Sequence, residues 1–229
     1  MPRATPDGRG IPSSDRIRRV FEEIAASVPD TGGRVFVALD GPDGSGKTTF
    51  AAHLAELLAE RRPVVLIHED DFLALRETRY RRGRDSPEGF YRDSYDLEAL
   101  ERLVLDPLRP TGSGRYRRRW TDHRRDAHVD APEESAPVDA VVIVEGMFLH
   151  RDELARRWQL SVFLDVPFEV TAARMSARDG SSPDPGDPSM RRYVEGQQMY
   201  FRECDPRARA DFVVANEDPD RPRISRRPV

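Results

Sequence analysis

The chain has 229 residues, 34 % of them charged, and Lys+Arg 37 against Asp+Glu 41 leaves a formal net charge of −4. That near balance excludes a protein dedicated to coating nucleic acid, which needs a strongly basic face. The single cysteine, Cys204, excludes an internal disulfide framework, and apolar runs such as Ala140–Val144 fall far short of the roughly 20 residues of a membrane-spanning helix.

Residues 1–14, with Pro2, Pro6, Gly8, Gly10 and Pro12, read as a disordered lead-in without the apolar stretch of a signal peptide. Ser13-Ser14-Asp15 is a capping sequence, and Ile17, Val20, Phe21 and Ile24 follow at helical spacing, so about 15–27 is expected to be an amphipathic helix. Val35–Leu39 and Val64–Ile67 are continuously apolar, as strands buried on both faces should be. A helix is expected between them, over Lys47–Arg61, with Phe50, Leu54, Leu57 and Leu58 on one side. Tyr95–Leu105 reads as a helix, and 107–138 as irregular chain with a short strand near Tyr116. Then come a strand at Val141–Val144, a helix around 151–158, a strand at Leu160–Leu164 and a helix at Phe168–Arg178. The breaker-rich stretch 180–188 reads as a mobile loop, followed by a helix at Ser189–Glu203 and a strand at Phe212–Val214.

Alternating strands and helices predict an α/β fold, a three-layer arrangement around a mainly parallel sheet with a helical lid. The expected organisation is one domain over 15–217, its lid at about 178–190, and a flexible Arg/Pro-rich tail from 218 to 229. In such sheets ligands bind beyond the carboxyl ends of the strands. The groups expected there are the loop after the first strand, Asp70/Asp71, Glu145 and Asp165.

Of the 37 basic residues only one is lysine, Lys47. It stands in Gly41-Pro42-Asp43-Gly44-Ser45-Gly46-Lys47-Thr48, which matches G-x-x-x-x-G-K-[ST], with Thr49 following. Glycines let successive backbone N–H groups turn inward as an anion nest, and the helix that starts there adds its positive end. Lys47 would reach the outer phosphates of a nucleoside triphosphate, and the Thr48 hydroxyl would ligate Mg²⁺. Arginine's longer planar fork suits such a nest poorly.

The loop implies a triphosphate but not a reaction. Asp70, at the end of the second strand, is placed to take a proton from an acceptor hydroxyl. Glu145, before Gly146, is placed to hold Mg²⁺ with Thr48. Arg174 and Arg178, four apart on one helix face, could neutralise phosphoryl charge from a lid. The other arginine-dense stretches, at 76–84 and 115–125, read as solvated loops.

These residues resemble the uridine kinase-like branch of the P-loop nucleoside kinases, which also contains phosphoribulokinase, pantothenate kinase and nicotinamide riboside kinase. The resemblance runs from about Val35 to Ala215. It rests on the phosphate loop, on Asp70-Asp71-Phe72 as a D-x-F acceptor motif, on Val142–Gly146 as a strand ending in Glu-Gly, on the Arg174-x-x-x-Arg178-Asp179 run, and on Ala210-Asp211 before the last strand. It implies ATP and Mg²⁺ as cofactors and a small nucleoside-like acceptor, uridine or cytidine first. It also implies Asp70 as base, with Asp71, Phe72, Asp93 and Tyr116 at the acceptor. Asp93 stands where the family has a Phe-Asp-His-Pro segment without a clear counterpart here, and Tyr116-Arg117 and Thr121-Asp122-His123 compete for the place of its Tyr-Asp-Phe segment. Other alcohols, such as nicotinamide riboside or pantothenate, and a non-catalytic nucleotide-binding regulator are the alternatives. Neither nucleic acid nor a membrane is expected as a partner, self-association is left open, and a cytoplasmic location is expected.

Overall fold

A computed structural model describes residues 13–228. In chain order it forms α1 (Ser13–Ala26), β1 (Val35–Asp40), α2 (Lys47–Ala59), β2 (Val64–His68), a 3₁₀ turn at Glu69–Phe72, α3 (Arg76–Arg79) and α4 (Pro87–Asp93). Next are α5 (Leu97–Leu100), a π-helical turn at Glu101–Leu105 and α6 (Asp106–Leu108). Four two-residue strands follow: β3 (Arg115–Tyr116), β4 (Thr121–Asp122), β5 (Ala127–His128) and β6 (Glu134–Ser135). The chain ends with β7 (Val141–Gly146), β8 (Leu160–Asp165), α7 (Phe168–Asp179), α8 (Arg191–Cys204), α9 (Pro206–Arg209), β9 (Phe212–Ala215) and β10 (Arg223–Arg226).

Six strands make the central sheet in the order β10-β9-β8-β1-β7-β2, parallel throughout except for β10. Every residue of β1 and β7 is buried, which explains why both read as unbroken apolar runs rather than alternating ones. Alternate side chains serve opposite layers. Val35, Val37, Leu39, Val141 and Ile143 pack with α1 and α2, while Phe36, Ala38, Val142 and Val144 pack with the α5–α6 region. At about 1.5–3 kcal/mol for each fully buried Val, Leu or Ile, these two layers are the main source of stability. The expected α/β, mainly parallel architecture is the one observed.

The parallel register sets the site. Leu39 pairs with Glu145 and Asp40 with Gly146, while His68 pairs with Glu145. The carboxyl ends of β1, β2 and β7 therefore finish level with one another.

Three expectations are corrected. Residues 151–157 are a chain of turns, not a helix. Bonds such as Arg151 N to Phe148 O and Leu154 N to Arg151 O span three residues, and the buried Arg151 guanidinium is drawn off to the Tyr91 carbonyl at 2.7 Å. The helix expected from Tyr95 begins at Leu97, because the Asp96 side chain caps it by accepting from Ala99 N. Tyr95 instead bridges to Leu73. The tail read as flexible contains β10, whose Ile224 packs on the core opposite Val214, with Arg226 donating to the last carbonyls around α9. The lead-in at 1–12 lies outside the described residues.

Candidate active site

The loop between β1 and α2 keeps Gly44 and Gly46 at φ 76° and 91°, left-handed conformations that side chains resist. A Cβ at Gly44 would also stand 2.8 Å from the Thr171 carbonyl. Phe50 N donates to Gly46 O, so α2 starts directly from the loop. Lys47 Nζ donates to Gly41 O at 3.0 Å and Pro42 O at 2.8 Å, which holds the ammonium along the loop.

Arg174 braces the loop from outside. Its guanidinium donates to the carbonyls of Gly44 and Ser45 and, at 2.9 Å each, to those of Asn216 and Glu217. Asn216 adds a bond to Ser45 O at 2.8 Å. Asp40 fixes the start of the loop by accepting from Gly41 N at 2.7 Å. The same carboxylate receives His150 Nδ1 at 2.7 Å and the Tyr200 hydroxyl of α8. Burial first, then Asp40, pushes the Tyr200 phenol well above its ordinary pKa, so it stays a proton donor to Asp40. This buried Asp40–His150–Tyr200 cluster was not anticipated from sequence.

The carboxylates stand across from the loop. Thr48 Oγ1 donates to Glu145 Oε1 at 3.0 Å, and the same oxygen lies 2.7 Å from His68 Nδ1. The bond to Glu145 raises the His68 pKa above its ordinary value, against the effect of burial. Beneath them Glu69 is fully buried, its carboxyl pushed well above the ordinary range mainly by burial, and it accepts from Met147 N at 2.9 Å. A Cβ on Gly146 would lie 2.2 Å from Glu69 Oε2, which is why glycine follows Glu145. Asp70 opens into the cavity and accepts from the Tyr95 hydroxyl at 2.9 Å. Burial and then Asp70 hold Tyr95 well above its ordinary pKa, so it remains protonated.

A cavity of about 540 Å³ joins these groups. Asp43, Gly44, Gly46, Lys47, Thr48, Thr49, Asp70, Glu145, Arg174 and Arg178 all line it. Gly41 and Ser45 lie under the loop, where a Cβ on Gly41 would stand 2.8 Å from Ser45 Oγ. Arg178 faces Asp43 at 3.4 Å.

Four residues expected at the acceptor are placed elsewhere. Phe72 is in the core beside Ile67 and Leu100. Asp71 pairs with Arg119 at 3.3 Å on the outer side. Tyr116 packs in the same core as Phe72 and donates to Glu134 at 3.1 Å. Asp93, its side chain 2 % exposed, pairs with Arg81 and with Arg82 at 2.8 Å. Asp165 also leaves the site, pairing with Arg207 at 2.6 Å.

Burial alone would raise the Asp93 pKa; the two guanidiniums outweigh it and hold the carboxyl below its ordinary 3.8. Stability from this pairing is therefore complete above about pH 3.8 and is lost as pH falls through the lower folded value. Asp93→Asn is expected to cost about 1–3 kcal/mol at pH 7. The gap to the parent should close in acid, as denaturant unfolding across pH 2–7 would measure.

The remaining wall of the cavity was not anticipated. It consists of Tyr95, Tyr80, Phe90, Tyr193, Arg79 and Arg192, with Leu73, Ser94 and Met147. Arg192 shares the inward face of α8 with Gly196, Tyr200 and Cys204, a spacing of four that marks burial in the sequence. Arg79 carries no such signal among its arginine neighbours. In the 115–125 stretch, Arg115, Arg117, Arg118, Arg119 and Arg125 do pair with nearby carboxylates.

The donor set suits a hard cation: a hydroxyl and a carboxylate already in contact, Thr48 and Glu145, both facing the cavity. Among the described residues no group of three or more His, Cys, Asp or Glu could hold a metal.

The model of the phosphoribulokinase / uridine kinase family matches residues 36–183. The chain belongs to that family. It is a P-loop kinase. No curated protein matches the chain by sequence. Among solved structures it is similar to a possible uridine kinase from Bacillus stearothermophilus, with 26 % identity, a TM-score of 0.69, and coverage of 89 % of this chain and 99 % of that one. A protein described as a fructose transport system kinase, from Silicibacter sp. TM1040, gives 25 % identity and a TM-score of 0.61 over 83 % and 95 % of the two chains. Phosphoribulokinase from Rhodobacter spheroides shares the fold at 16 % identity and a TM-score of 0.55, over 81 % and 71 %. The family's kinase character and its small-molecule acceptors agree with the cavity's division into a phosphate loop and a facing carboxylate. No helix among the described residues is long and apolar enough to cross a membrane.

Proposed function

We propose that this protein transfers the γ-phosphoryl group of ATP to a hydroxyl of a small-molecule acceptor, with Asp70 as general base. The observation that carries the reading is the position of Asp70, held by Tyr95 in the same cavity as the phosphate loop and the Thr48–Glu145 pair. Bound MgATP would supply the phosphoryl group and the charge that steadies it in flight.

The chain's own residues do the rest. Loop N–H groups and Lys47 bind the phosphates; Thr48 and Glu145 hold the metal. Tyr95, donating to one Asp70 oxygen, leaves the other free to take the acceptor's proton. Arg178, from the end of α7, adds positive charge at the loop. Arg174 positions the loop, because its donors are spent on backbone carbonyls. The segment around 178–190 serves as a lid that keeps water from the phosphoryl group.

Uridine and cytidine are the first acceptors to try, given the likeness to a possible uridine kinase; fructose follows from the second neighbour. ADP release with ATP and Mg²⁺ should be slow alone and rise at least tenfold with the right alcohol. Rapid ADP release that no alcohol changes would mean an ATPase.

A further inference from the structure

The wall facing the phosphate loop contains two arginines that no carboxylate neutralises closely. Arg192 is 7 % exposed and lies over the rings of Tyr80 at 5.0 Å and Phe90 at 5.4 Å. Its one hydrogen bond goes to the Arg84 carbonyl, and among the described residues it makes no ion pair. Arg79, with its side chain 13 % exposed, lies over Tyr80 at 5.5 Å. Among the described residues its one ion-pair partner is Asp126, 3.8 Å away, beyond hydrogen-bond distance. Its Nε is buried and has no hydrogen-bond partner. Both residues line the cavity, as do Tyr80, Phe90 and Tyr193 beside them.

Arg151 shares this pattern, buried over Tyr91 at 4.9 Å with a bond to the Tyr91 carbonyl and an unpartnered Nε, but it does not line the cavity. Other described arginines are paired: Arg81 and Arg82 meet Asp93, Arg118 meets Glu134, Arg157 meets Glu101 and Arg207 meets Asp165. Arg174 has four carbonyls. A desolvated guanidinium whose counter-charge is not in close contact is costly, and two that face one cavity repel. Burial lowers the Arg192 pKa, outweighing the opposing effects of Tyr193, Tyr80 and Asp85, and Arg79 adds to the lowering. Contact with aromatic faces offsets only part of the cost. A ligand bearing an anion would remove the rest, because the guanidinium fork matches the paired oxygens of a carboxylate or a phosphate. The phosphate loop has its own cations in Lys47 and Arg178, so this second positive pole is surplus to the triphosphate.

We propose that the acceptor is itself an anion, an alcohol bearing a carboxylate or a phosphate ester, which Arg79 and Arg192 hold while its hydroxyl reaches Asp70. This rests on the kinase reading above and narrows it away from neutral nucleosides and free sugars. Proton and phosphoryl balance are those of that reaction: the hydroxyl oxygen gains the phosphoryl group, its proton passes to Asp70, and ADP leaves.

The test separates binding from turnover. Asp70→Asn protein saturated with MgADP, so that the phosphate loop is filled, is titrated calorimetrically with four probes. Uridine and fructose are neutral, glycerate is a hydroxycarboxylate, and ribose 5-phosphate is a sugar phosphate. An anionic probe should bind at least tenfold tighter than both neutral ones. Arg192→Gln, or Arg79→Gln should the first variant melt early, should remove that preference. In the otherwise unmodified enzyme the same change should raise KM for the anionic acceptor at least tenfold and leave KM for ATP within about twofold. Which of the two anions binds identifies the group. Tighter binding of a neutral probe, no anion binding to the ADP-loaded protein, or a rise in KM for ATP alone would each overturn the proposal. Failure of the kinase reading itself appears separately, as ADP release from MgATP that no alcohol raises, or as absence of MgADP binding.

Discussion

Lys47→Arg is expected to fold as the parent does and to lose phosphoryl transfer by about 10²–10³-fold, the cost of removing one preorganised charge donor from a transition state. The charge is unchanged, so the loss comes from shape. Lys47 Nζ fits between the Gly41 and Pro42 carbonyls at 3.0 and 2.8 Å, along a loop whose walls are backbone. A guanidinium is broader and longer than an ammonium and cannot take that place without displacing the loop or the phosphates. The chain uses arginine for its other 36 basic positions, which makes this single lysine the sharpest test of whether position, not charge, is what matters. Stability should fall by no more than about 1–2 kcal/mol, the net worth of the two carbonyl bonds that Lys47 Nζ makes, measured by thermal melting beside ADP release. A Lys47→Arg enzyme with parental activity would contradict the assignment of the loop.

Asp70→Asn is expected to lower kcat by about 10²–10⁴-fold, the usual contribution of a positioned base, with binding of ATP preserved. The amide has the carboxylate's shape and can still accept the Tyr95 hydroxyl bond, so the wall should stand. It cannot take the acceptor's proton. Single-turnover kinetics beside nucleotide titration separate the two effects; an unchanged rate would remove Asp70 from the chemistry.

The elements that position the phosphates were legible in the sequence because their signals are local. Continuous apolar runs marked β1, β2, β7 and β8, and the spacing of Gly44, Gly46, Lys47 and Thr48 requires a backbone cradle at the end of β1. Glu145 and Asp70 could be located because a parallel sheet brings strand ends together. The acceptor wall was not legible. It is assembled from residues more than a hundred positions apart, as Arg79 and Arg192 are; the spacing of four along α8 marks Arg192 as buried but not what it faces, and Arg79 looks the same in sequence as arginines that pair on the surface. Tyr116 and Asp93 had the residue types of an acceptor pocket but were claimed by a core cluster and by two arginines. The start of α5 two residues after Tyr95 does have a local signal, the capping type of Asp96, but the helical spacing around Tyr95 competes with it. The turns at 151–157 begin at a buried guanidinium bonded to a distant carbonyl, a contact no window of sequence contains.

The central claim is that one cavity moves a phosphoryl group from ATP to a hydroxyl. It is tested most directly by following the γ-phosphoryl of labelled ATP by ³¹P NMR, with and without the acceptor that best raises ADP release. The account predicts that the label appears in a new phosphomonoester in step with ADP, and that Asp70→Asn stops its appearance. Label recovered only as inorganic phosphate, at the same rate whether or not an alcohol is present, would contradict it.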